Sequence, residues 1–171
     1  EKGLIDHFGV SVYETEHALD IVKSGEVDYI QIMLSVFDQR LEKTDFFNIA
    51  KQNGVTVFAR SVFLQGLIVM EEDKIPPHLD IAKDYLRKFD QIITKYGFSR
   101  LEAALLFSYT HPDIDYVLIG VDNIDQLRQD IAISKTGADF AACREELSHS
   151  FLNISKSIIF PSLWKKKDGV E

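Results

Sequence analysis

Polar side chains break into the apolar runs of this sequence at a few places, and most lie at or just past the C-terminal end of a run. Gly9-Val10-Ser11-Val12-Tyr13 closes the first run, and Gln31 stands inside the second. Arg60-Ser61-Val62-Phe63-Leu64-Gln65-Gly66 ends the third. Gly120-Val121-Asp122 ends the fourth, with Gln126, Gln129 and Asp130 just beyond. A carboxamide or guanidinium inside a buried strand needs a partner, because an unpaired polar group away from water is costly. Gln31 and Arg60 are therefore expected to meet a neighbour or hold a ligand. Metal chemistry finds little support, since the histidines at 7, 17, 78, 111 and 149 show no ligand spacing. Cys143 has no histidine that the sequence can place beside it, so it reads as a packed thiol. Asp113 and Asp115 read as turn and cap residues, Tyr13 as a packing ring, and Glu71-Glu72-Asp73 as a solvated loop.

Those residues converge only if the runs are strands of one sheet. Four short apolar segments are strand-like: His7 to Ser11, Tyr29 to Met33, Val55 to Ser61 and Tyr116 to Ile119. Helical spacing follows each of them, at Thr15–Ser24, Asp45–Gln52, Leu79–Tyr96 with Ser99–Thr110, and Ile124–Ser134. Ser99 and Glu102 stand at capping-box spacing, and His111-Pro112 stops that helix. A further helical pattern and a tail ending in Trp164 and three lysines complete the chain, the lysines reading as a frayed terminus. Strands apolar on both faces, alternating with helices, make a parallel sheet. Two architectures fit, an open doubly wound sheet or part of a (β/α)8 barrel. A whole barrel needs about 250 residues, more than the 171 present.

Composition narrows the function class. With 46% apolar and 27% charged residues the chain is a globular domain, and its net charge of −8 argues against a nucleic-acid partner. The lone cysteine fits a reducing, cytoplasmic setting. No apolar run reaches the eighteen or so residues that a membrane span requires.

Taken in order, the four polar clusters and the ending Phe160-Pro161-Ser162-Leu163-Trp164 resemble the C-terminal half of the aldo-keto reductase family, strands five to eight of its barrel. The Arg60-to-Gly66 stretch is similar to a bacterial branch of that family. The resemblance implies an α/β fold, half of a (β/α)8 TIM-type barrel. Residues 1–136 would be the half-barrel and 137–171 a C-terminal helical tail. It also implies an oxidoreductase moving hydride between NADP(H), ahead of NAD(H), and a small carbonyl or alcohol substrate. By the same resemblance Ser11 and Gln31 match the positions that hydrogen-bond the nicotinamide carboxamide, and Arg60 the position that stacks on the ring. Ser61, Phe63 and Gln65 match the loop along the pyrophosphate. Gly120, Val121 and Asp122 match the loop near the 2′-phosphate and ribose, and Gln126, Gln129 and Asp130 the helix near the adenine. Val12, Arg60, Asp122 and Asp130 depart from the family's usual residues, and a carboxylate at 122 is unfavourable beside a 2′-phosphate.

The family's catalytic Asp, Tyr, Lys and His belong to its first four βα units, and none of those positions has a match here. General-acid catalysis, about a hundred- to ten-thousand-fold in rate, would be missing. The isolated chain is therefore expected to be inactive and to bind the dinucleotide weakly or not at all. A half-barrel also exposes two strand edges and an inner face. Those edges call for a missing N-terminal half-barrel or self-association. The alternative reading is a half-length, non-catalytic binding or assembly module.

Overall fold

The computed structural model describes residues 3–136 and 139–164. The expected boundary at residue 137 and the Lys165-Lys166-Lys167 run lie outside them. Four parallel strands form one sheet: β1 (Gly9–Ser11), β2 (Tyr29–Met33), β3 (Thr56–Arg60) and β4 (Tyr116–Val117). α1 (Thr15–Ser24) joins the first two strands, and α2 (Phe46–Gln52) the next two. α3 (Ala82–Lys95) and α4 (Arg100–Tyr109) lie between β3 and β4. α5 (Ile124–Lys135), α6 (Ala141–Ser150) and α7 (Lys156–Ile159) follow.

Strand order decides between the two architectures. A doubly wound sheet reverses its order at a switch point. Here the order is β1-β2-β3-β4, each strand beside its sequence neighbour, as along one arc of a (β/α)8 barrel. The register runs Ser11 to Gln31 to Phe58 to Tyr116. The sheet does not close.

Its two faces differ. Ile30, Ile32 and Val57 are buried against Ala18 and Val22 of α1 and Phe46 and Ala50 of α2. Ala59 joins the larger core built on α3, α4 and α6. Full burial of side chains such as Ile32 and Phe46 contributes about 1.5–3 kcal/mol each. The alternate residues Tyr29, Gln31, Phe58 and Arg60 are only partly buried. On that second face a row of rings crosses the strands, with Tyr29–Phe58 at 5.9 Å and Phe58–Tyr116 stacked at 4.7 Å.

Local chemistry places the elements. Gly54, at φ 66°, turns the chain after α2 into β3. The expected capping box opens α4: Ser99 Oγ accepts from the Glu102 N–H, and Glu102 accepts from the Ser99 N–H at 2.8 Å. Several elements are shorter than the sequence suggests, β1, β3, α3 and β4 among them. α3 starts at Ala82, because Pro76-Pro77 first make a separate 3-10 turn over Pro77–Leu79. β4 stops at Val117, although the Leu118 N–H still donates to Ala59 O at 2.8 Å. Among the described residues no helix is long and apolar enough to cross a membrane.

Candidate functional site

Nine of the twelve sequence-predicted residues line one groove of about 650 Å³ at the C-terminal edge of β3 and β4. Ser61, Phe63 and Gln65 form one wall. Gly120, Val121 and Asp122 supply the opposite side, with Gln126, Gln129 and Asp130 from α5. The first wall is a loop in unusual backbone conformations: Ser61, Leu64 and Gln65 have φ of 64°, 46° and 51°, and Gly66 has 85°. Left-handed backbone at non-glycine residues costs about 1 kcal/mol or more each and persists only where the surroundings enforce it. Here Val62 and Leu64 are anchored in the core, and the Leu64 N–H donates to Ser61 O at 3.0 Å. The N–H groups of Phe63, Gln65 and Gly66 have no acceptor among the described residues. Successive free N–H groups in such turns make concavities that suit an anion.

The opposite wall is built on α5. Asn123 caps that helix, its side-chain oxygen accepting from the N–H groups of Asp125 and Gln126 at 3.1 and 3.0 Å. Gln126 Oε1 in turn accepts from the Asp122 N–H at 2.7 Å and ties the loop to the helix. Sequence reasoning passed over Asn123, although Asn just before a helical pattern is a recognisable cap signal. Gly120 has ordinary backbone geometry, and a Cβ there would meet nothing within 4 Å. Its missing side chain is therefore not demanded by the protein's own packing. Asp130 is buried at 5% exposure, and burial raises its carboxyl above the ordinary value.

The other three predicted residues are not part of that groove's lining. Ser11 and Gln31 are register partners on β1 and β2, and Gln31 Nε2 donates to Ser11 Oγ at 2.9 Å. The expected partner for the in-strand carboxamide is thus its own neighbour. Arg60 lies over the Tyr13 ring at 4.3 Å, and its Nη1 donates to Ser61 Oγ at 3.3 Å. Its Nε is buried with no acceptor among the described residues. Arg60, Ser61 and Gln65 also line a second cavity of about 520 Å³, walled by His78, Pro161 and Trp164. Ser61 and Gln65 border both spaces, so the two adjoin.

A ladder of rings and cations holds the tail over that inner cavity, and sequence reasoning did not find it. Tyr13 stacks on Phe160 at 6.1 Å, and Arg40 lies over the other ring at 4.5 Å. Arg40 is fixed by the buried Asp38 at 2.8 Å. The tail's Lys156 reaches Glu14 at 2.6 Å. A second, partly buried network, Glu42 with Arg144 at 2.9 Å and His111 at 3.5 Å, is absent from the groove's lining and joins the Leu41–Lys43 turn to α6 and to the loop after α4. Cys143 is packed in the core as expected, whereas Asp115 reaches beyond a turn or cap: its Oδ2 accepts from the Val57 N–H of β3 at 2.7 Å. The acidic triplet is solvent-facing as expected, with surface ion pairs from Glu71 to Lys74 at 2.6 Å and from Glu72 to Arg87. Among the described residues no group of three or more His, Cys, Asp or Glu could hold a metal ion.

The sequence model of the aldo/keto reductase family matches residues 1–145. The chain belongs to that family. An NADH-specific methylglyoxal reductase of Escherichia coli is 24% identical over 161 residues, covering 84% of this chain and 49% of that protein. An uncharacterized oxidoreductase of Bacillus subtilis is 23% identical, covering 77% of this chain and 45% of that one. The holo form of an aldo-keto reductase from Bacillus halodurans superposes with a TM-score of 0.74 at 20% identity, over 92% of this chain and 55% of that structure. The chain spans about half the length of the curated relatives it matches. Aldo-keto reductases are oxidoreductases that use NAD(P)H. In this member the groove, the orphaned Arg60 Nε and the free loop N–H groups are the features that suit such a ligand.

Proposed function

We propose that this chain is the NAD(P)H-contacting, C-terminal half of an aldo-keto reductase-type oxidoreductase acting on a small carbonyl or alcohol. The observation that carries this reading is the convergence of nine of the predicted residues on one groove in a member of that family. The dinucleotide, when bound, supplies or accepts the hydride. Ser11 and Gln31 would hold the carboxamide end and fix which ring face meets substrate, an orienting task. Arg60 would lie against the nicotinamide, since a planar guanidinium stacks on rings as it already does on Tyr13. The Ser61–Gly66 N–H groups would receive the pyrophosphate, and α5 would flank the adenosine.

The acid that protonates the carbonyl oxygen would come from βα units matching the family's first four strands. A missing N-terminal half-barrel is thus the proposed partner, and the chain alone would not reduce substrate. The second reading, a non-catalytic binding or assembly module, is favoured by the ring row Tyr29, Phe58 and Tyr116 on the uncovered sheet face. Choice of NADP(H), which the resemblance ranks first, or NAD(H) turns on the 2′-phosphate. A reduced dinucleotide and an unpaired Cys143 support a cytoplasmic setting. Titration of the intact gene product with NADH and NADPH, read by quenching of Trp164, is expected to saturate. Absence of saturable binding to either would remove the cofactor reading and leave the module.

A further inference from the structure

Among the described residues the groove between the Ser61–Gly66 loop and α5 has no cation in its lining, and its charged groups are Asp122 and Asp130. The guanidiniums of the flanking helices are engaged elsewhere. Arg128 on α5 pairs with Asp125 at 3.1 Å. Arg100 at the start of α4 is held by Asp90 at 2.5 Å and by Met70 O. Asp130 is 5% exposed, lines the groove, and accepts no hydrogen bond from any described residue. Such a carboxylate is an unfilled acceptor, and a bound molecule that brings hydroxyl or amine donors satisfies it. A molecule that brings a phosphate dianion does the reverse, for it adds like charge to a low-dielectric wall. NADP(H) differs from NAD(H) only by the phosphate on its adenosine ribose. Recognition of that phosphate takes an arginine or comparable donor, whereas a carboxylate accepts from the ribose hydroxyls.

Resting on the dinucleotide reading above, we propose that this groove selects NAD(H) over NADP(H), with Asp122 and Asp130 as the specificity-determining residues. The two carboxylates accept from the ribose hydroxyls and adenine amine and repel a 2′-phosphate. The order expected from family resemblance is thereby reversed. Wherever along the groove the adenosine lies, no described residue of the lining offers it a positive charge.

The test is calorimetric binding to the intact gene product, with NAD+ against NADP+ and with AMP against adenosine 2′,5′-bisphosphate. The expected result is that each 2′-phosphorylated molecule binds about tenfold or more weakly than its counterpart. That ratio should shrink severalfold in Asp122→Ser, an exposed substitution the fold tolerates, and in the isosteric Asp130→Asn. NADP+ binding as tightly as NAD+ would overturn this proposal and leave the dinucleotide reading standing. A ratio that neither variant changes would overturn the assignment to these carboxylates. Binding of neither dinucleotide by a protein with native circular dichroism would overturn both.

Discussion

Two glycines show how single residues divide between folding and function. At Gly9 a Cβ would lie 2.6 Å from Tyr29 Cβ and closer still to its carbonyl oxygen, so the β1–β2 pairing itself requires glycine. Gly9→Ala is expected to cost about 1–3 kcal/mol in urea unfolding. Gly120 has open space and ordinary φ, so Gly120→Ala should leave stability unchanged or raise it by about 0.4–1 kcal/mol. The same variant should lose dinucleotide affinity severalfold if a ligand approaches that backbone, and an unaltered affinity would count against the groove. Glu42 gives a pH prediction. Burial alone would raise its carboxyl, but His111 and Arg144 outweigh burial and hold it below the ordinary value. A depressed folded-state pKa adds stability that is present above the unfolded value and lost as pH falls through the folded one. Glu42→Gln should therefore cost about 2 kcal/mol at neutral pH and flatten the acid limb of the stability profile. Cys143 is pushed up to about 11 by burial and the nearby Glu146. Its alkylation should be slow near neutrality in the native protein and fast once urea unfolds it.

At the scale of elements, the helix that flanks the groove depends on one cap. Asn123→Ala should destabilise by about 1 kcal/mol, and because Gln126 also holds Asp122 in place the groove should loosen with it. Weakened dinucleotide binding together with the lower midpoint would show that link, and a midpoint change alone would deny it. The elements themselves were largely legible. α1 and β2 fall on the expected residues because their apolar spacing is unambiguous and glycine or polar residues bound them. The ends of α3 and β4 were not, since a double proline and a bend into the groove act on backbone geometry that periodicity does not report. The Ser61–Gly66 loop was readable as a site but not as a run of left-handed residues. Nothing in Ser61, Leu64 or Gln65 prefers that conformation, and buried Val62 and Leu64 impose it.

For the whole molecule, the consequence of an unclosed sheet is an apolar inner face. β1 and β4 are the edges of the sheet, and Tyr116 and Leu118 are 57% and 41% exposed. The 171-residue chain by itself is expected to bind an apolar-surface dye or to self-associate, and to lose that behaviour once further βα units cover the face. A monomer with little dye binding would overturn the proposal that this face is a joint. The sequence by itself determined that the chain is α/β, that the strands are parallel, and which residues gather at their C-terminal ends. Those properties follow from local periodicity and from the alternation of strand and helix. Only the tertiary structure decided the strand order, which rules out the doubly wound alternative. It also decided the pairing of Gln31 with Ser11, the tail ladder on Phe160, and a groove whose charges, among the described residues, are carboxylates. These depend on side chains brought together from distant parts of the chain, where spacing along the sequence carries no record of distance in space.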